Sequence, residues 1–187
     1  MKKVVGCTLV AAIVAGSFAL GTFVTAEDKK AGTEEGGSCG MTPEQMEQCK
    51  AYATPGKEHK GLEWFVGTWE GECKDCMNPD SKEAKTTTAK IEAKSILGGR
   101  YIEEVFTGTC PCSGESFEGH SITGYDNKLK TYNNYWFCTM GTGAAVSTGE
   151  YKEADKTYRY SGTMTCPLEG KIPSRNEVKI IDDNTYE

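Results

Sequence analysis

The sequence predicts a mainly β fold, an antiparallel up-and-down meander closing as a barrel, with one or two short helices in front of it. Three observations predict it. From Gly67 onward about eight short stretches read as strands, one of them, Thr87–Lys94, with period-two alternation over eight residues. Compact turn sequences such as Leu97-Gly98-Gly99 and Asp126-Asn127-Lys128 separate them. No helical stretch lies between them, as a parallel sheet would need for its crossovers.

The chain begins with an export signature. Lys2 and Lys3 form a positive start, an apolar run extends from Val4 to about Val24, and Val24-Thr25-Ala26 places small residues at the −3 and −1 positions of a peptidase site. Residues 1–26 therefore read as a signal peptide, with an uncleaved anchor as the competing reading. Val4-Val5-Gly6-Cys7 lies too close to the start to serve as a lipidation box. Cleavage after Ala26 turns 187 residues into 187 − 26 = 161, and the charge from −6 into 19 − 27 = −8. It also removes Cys7, so nine cysteines become eight, the even count of a disulfide framework in an exported chain. The acidic balance argues against nucleic acid as a partner, and cleavage leaves no membrane span.

Residues 27–40 are charged and glycine-rich, hence a flexible linker. Residues 41–56 hold a short helix, because Thr42-Pro43-Glu44-Gln45 combines an N-cap, a proline at N1 and a Gln at N3. Residues 57–187 form the barrel domain, opened by a second helical turn over Glu58–Phe65 with Leu62, Phe65 and Val66 on its apolar side. The strands expected after it are Thr68–Glu72, Thr87–Lys94, Arg100–Thr107, Ser116–Tyr125, Leu129–Phe137, Gly143–Tyr151, Thr157–Thr165 and Asn176–Ile181. Stretches such as Thr131-Tyr132-Asn133-Asn134 are polar on both faces, which suits a hydrated interior better than a solid aliphatic one.

Five short motifs recur in order: His59-Lys60-Gly61-Leu62-Glu63-Trp64-Phe65-Val66-Gly67-Thr68-Trp69, then Leu97-Gly98-Gly99-Arg100-Tyr101, Phe117-Glu118-Gly119, Gly124-Tyr125-Asp126 and Tyr135-Trp136. Over residues 57–187 the chain thereby resembles domain-of-unknown-function family 1579, a lipocalin-like (calycin-like) barrel group of exported bacterial proteins. The resemblance implies a fold and an exported setting, periplasmic or extracellular, and no activity. Against the family pattern the chain looks short at its C-terminus. A missing closing strand would leave unpaired edges open to ligand, partner or self-association. A truncated gene is the alternative.

In such a meander the loops after the first, third, fifth and seventh strands share one end. Cys73 and Cys76, Cys110 and Cys112, Cys138 and Cys166 all follow those strands, so six cysteines gather at one mouth. Disulfides involving these and Cys39 and Cys49 are the first reading. Thiolates of Cys73, Cys76, Cys110 and Cys112 holding a soft metal such as Zn²⁺ or Cu⁺ are the second, and a redox pair is the third. No cofactor is predicted.

Candidate ligand-binding residues are Arg100, Tyr101, Glu103, His120, Tyr132, Trp136 and Arg159, chosen as charged or aromatic strand residues able to face a cavity; Tyr158 and Tyr160 are further cavity aromatics. Glu103 and Glu104 are adjacent, so they point to opposite faces and cannot act as a pair; the inward one is a candidate partner for Arg100 or Arg159. His59 is read as a cap or packing residue at the barrel bottom. No nucleophile elbow, phosphate loop or zinc-protease stretch is present. The sequence thus points to an exported barrel binding a small apolar or amphipathic molecule, with a thiol-dependent metal or redox protein as the alternative. A cavity-type hydrolase or isomerase is a third class whose residues nothing specifies.

Overall fold

A computed structural model describes residues 2–5, 10–11, 40–74, 86–111 and 113–187. The chain divides into two compact units, Gly16–Thr54 on one hand and Met1–Ala15 with Pro55–Glu187 on the other. In the first unit, helix α1 (Pro43–Ala53) starts where the capping pattern predicts: Thr42 accepts from the Gln45 amide, and the Gln45 side chain accepts from the Thr42 amide at 2.8 Å. None of its residues is buried. The expected signal peptide and linker fall mostly on residues outside those described.

The second unit carries the meander. Helix α2 (Lys57–Leu62) and a 3-10 turn (Glu63–Phe65) precede it, dividing the single helical turn that the sequence predicts. Two short N-terminal strands are β1 (Lys2–Val5) and β2 (Val10–Ala11). Nine strands follow: β3 (Gly67–Lys74), β4 (Thr86–Ile96), β5 (Tyr101–Thr109), β6 (Ser116–Asp126), β7 (Thr131–Cys138), β8 (Ala145–Lys152), β9 (Thr157–Cys166), β10 (Gly170–Asp182) and β11 (Thr185–Tyr186). Each is antiparallel to the next, and together they curl into a half-barrel. β1 runs parallel to both β3 and β11, so residues of the expected leader sit between the two ends of the meander. The eight predicted strands are all present. β10 begins six residues before the predicted Asn176, because Gly170 takes a positive φ and turns the chain straight back against Cys166. β11 has no counterpart among the predicted strands; its two residues follow a turn at Asp183-Asn184.

The core lies at the end where the helices enter. Leu62 and Phe65 pack with Trp69, Ile91, Ile102, Tyr132, Tyr158 and Tyr186, all buried. Trp69 is fully inaccessible, and its indole N–H donates to the Phe65 carbonyl at 2.6 Å. That bond ties the 3-10 turn to the first strand of the meander and satisfies a polar group which burial would otherwise penalise. His59 both caps and packs, as predicted: its Nδ1 accepts from the Gly56 amide at 3.0 Å and its ring meets Tyr125 edge-on. Two glycines permit close approach of strands at the opposite wall. A Cβ on Gly162 would collide with the Val146 carbonyl, and one on Gly149 with the Arg159 carbonyl.

Trp69→Ala should destabilise by about 3–5 kcal/mol, whereas Trp69→Phe, which keeps a ring but strands the Phe65 carbonyl, should cost about 1–3 kcal/mol. Urea unfolding of the two variants measures both, and equal midpoints for Trp69→Phe and the parent would contradict the role given to the hydrogen bond.

Candidate functional site

Strand alternation decides which side chains look into the half-barrel. On β5 the inward set is Ile102, Glu104, Phe106 and Gly108; on β6 it is Phe117, Gly119, Ser121, Thr123 and Tyr125; on β7 it is Tyr132, Asn134, Trp136 and Cys138, as the pairing register and burial pattern show. These residues form levels. At the bottom is the aromatic floor, where Tyr132 meets Tyr125 and Tyr158 edge-on. Above it stands a polar level: the Asn134 amide donates to both Ser121 Oγ and Thr123 Oγ1 at 2.9 Å, and Ser121 in turn hydrogen-bonds the Glu104 carboxyl. Next comes an aromatic shelf of Phe106, Phe117 and Trp136, with ring centroids 5.1 Å and 6.0 Å from the indole. Gly119 lies beneath that indole, where a Cβ would collide with it.

Glu104 is the chemically distinctive member. It stands on the concave face between Ala93 and Ser121, its cross-strand neighbours, and desolvation there raises its carboxyl from the usual range to about 7, against the opposing effect of the Ser121 hydrogen bond. Burial likewise lifts the phenols of the floor, Tyr132 to about 12, Tyr158 further and Tyr160 well above the ordinary range, so all three remain protonated and able to donate. Among the described residues no buried side-chain polar atom lacks a partner. Yet Glu104, Phe106, Asn134, Trp136, Ser147 and Met164 all keep part of their surface accessible. The concave face above the floor is therefore a hollow with a wettable wall.

The candidate residues from the sequence divide between the two faces. Tyr132 and Trp136 face inward. Glu103 faces outward and pairs with Lys94 at 2.7 Å, so the inward carboxylate is its neighbour Glu104. Arg159 is on the outer face, held by Asp155 and Glu177, and Arg100 hydrogen-bonds the Leu97 carbonyl in the β4–β5 turn. Neither approaches the inward carboxyl as expected, because odd-numbered positions of β9 point away from the hollow and Arg100 precedes β5. Tyr101 covers Gly124 on the outside. His120 is also outward, stacked on Phe137 and 3.4 Å from Glu118. Tyr158 and Tyr160 are buried in the floor and its wall. A separate cleft of about 310 Å³ opens outside, against Gly67, Thr68, Glu92, Lys94 and Val105.

At the far end from the floor, β3, β5, β7 and β9 terminate together, as the meander predicts. Cys73, Cys110, Cys138 and Cys166 stand there, each on the inward alternation of its strand or its direct continuation. Cys110 is buried and the other three half-buried. No two described cysteines are bonded to each other, and no three metal-binding side chains converge among the described residues. Cys39, Cys76 and Cys112 lie outside the described residues. Cys49, on α1, is exposed and 3.9 Å from the Met41 sulfur. No helix among the described residues is long and apolar enough to cross a membrane.

The Glu104 carboxyl binds its proton more tightly in the folded chain than in the unfolded one. Its contribution is thus fully present below about 4.5 and is lost as pH rises through about 7. Glu104→Gln should remove that slope and raise stability above neutral pH by on the order of 3 kcal/mol. Denaturant midpoints at acid and alkaline pH test this. A variant with the parent's pH slope would place the source elsewhere.

The comparison with curated proteins finds no match. A family profile described as protein of unknown function (DUF1579) matches residues 54–187, which takes in the helical turn, the whole meander and every inward residue of the hollow. The chain belongs to the DUF1579 family.

Proposed function

We propose that this protein is an exported binding protein whose half-barrel holds a small amphipathic molecule on its concave face. One observation carries the reading: above the floor the inward side chains Glu104, Phe106, Phe117, Asn134 and Trp136 keep accessible surface, which a filled core would remove. Ligand sites of this type are concave and mostly apolar, with a few placed polar groups that fix orientation. Phe106, Phe117 and Trp136 supply the apolar contact, and Glu104 and Asn134 supply the polar one, with Asn134 held by the buried hydroxyls of Ser121 and Thr123. Export rests on Lys2, Lys3, the apolar run and the Ala26 site.

A second reading has its own observation. The inward register of Cys73, Cys110, Cys138 and Cys166 places sulfur around the entrance to the hollow. In an oxidising compartment, loop cysteines there would close disulfides and stiffen the mouth, each bond contributing about 2–4 kcal/mol. Kept reduced, the same sulfurs would favour a soft metal ion.

Fluorescence of the neutral apolar probe N-phenyl-1-naphthylamine tests the first reading. Emission should rise on binding, and Trp136→Ala should weaken binding by about three- to tenfold, while Tyr135→Ala on the outer face should leave it unchanged. Absence of enhancement, or indifference to Trp136→Ala, would contradict it. For the mouth, thiol titration in denaturant should give few reactive thiols before reduction and eight afterwards in the chain lacking residues 1–26. Eight before reduction would refute the disulfides, and stoichiometric zinc or copper in the purified protein would favour the metal.

A further inference from the structure

Charge is distributed unequally between the two faces of the half-barrel. Every described lysine side chain is exposed, as are Arg100 and Arg175, and Arg159 is engaged by Asp155 and Glu177 on the outside. Among the inward-facing strand residues described, Glu104 is the one ionisable acid and no cation accompanies it. The groups around it are Ala93 from β4, Ser121 from β6, Asn134 and Trp136 from β7, and Tyr160 from β9; none of them is charged at neutral pH. A buried carboxylate without a counter-charge is costly, and the cost ends when a cation arrives to pair with it. The surrounding wall suits such a cation, since aromatic faces attract ammonium groups. An anionic headgroup in the same place would meet like charge and no donor beyond neutral hydroxyls, an amide and a phenol.

We infer that the hollow selects basic amphiphiles: organic amines whose ammonium group pairs with Glu104 and whose apolar body lies against Phe106, Phe117 and Trp136. The inference rests on the concave face being the binding surface and names the chemistry that this surface takes. The transfer is simple. At neutral pH the ammonium enters with its proton, the Glu104 carboxyl gives its own proton to water, and a charge-assisted hydrogen bond forms between the two ions. Fatty acids and other carboxylates are excluded by the same arrangement.

The test uses the full chain loaded with N-phenyl-1-naphthylamine at about pH 8, where Glu104 is ionised. Decylamine, decanol and decanoate, which share one apolar body, compete for the bound probe. Decylamine should displace it at concentrations at least about tenfold lower than decanoate. In Glu104→Gln that preference should vanish, with displacement by decanol unchanged; in Glu103→Gln, on the outer face, it should persist. Equal displacement by amine and carboxylate, or a preference that survives in Glu104→Gln and so reflects only the acidic surface, would overturn the inference while leaving the concave face a binding surface. Failure of the probe to bind at all would remove the binding surface and the inference together.

Discussion

The indole of Trp69 joins the 3-10 turn to β3 and β11. By donating to the Phe65 carbonyl it fixes the 3-10 turn against the start of the meander, and by its bulk it anchors the aromatic cluster that fills that end. Further along the strands, some of the described inward residues keep part of their surface accessible. Glu104, Asn134 and Trp136 then stand on a curved wall, partly accessible, instead of inside a solid core.

Between floor and mouth the polar level is built for a fixed orientation. Asn134 spans two hydroxyls, and one of these serves the carboxyl. Such a chain orients its members, because each donor is committed to one acceptor. It compensates Glu104 by a single neutral hydrogen bond, and so leaves the carboxyl short of what full ionisation needs. The aromatic shelf of Phe106, Phe117 and Trp136 stands above this level.

Much of this was legible in the sequence. Period-two alternation and turn residues located all eight predicted strands, and the capping pattern at Thr42 located α1. The meander rule placed Cys73, Cys110, Cys138 and Cys166 at one end, where β3, β5, β7 and β9 terminate. The choice between Glu103 and Glu104 was not legible, since both faces of β5 carry apolar residues: Tyr101 and Val105 outside, Ile102 and Phe106 inside. Only the hairpin register, which sets Ala93 opposite Glu104, decides it. His120 and Arg159 drew attention by residue type, but alternation puts them outside. Gly119 gave the overlooked signal for the site: an inward glycine paired close to Trp136 marks the seat of a large ring. The strand formed by Lys2–Val5 had no signal of its own, because those residues read as part of an export leader.

A carboxyl lies on the concave face of this half-barrel, without a counter-charge among the described residues. A carbon-13 nuclear magnetic resonance titration of the labelled Glu104 side chain, assigned by comparison with Glu104→Gln, tests this most directly. The account predicts a titration midpoint near 7, well above the 4.5 of an ordinary glutamate. A midpoint at or below 4.5 would mean that Glu104 is solvated or paired with a cation, and would contradict the account.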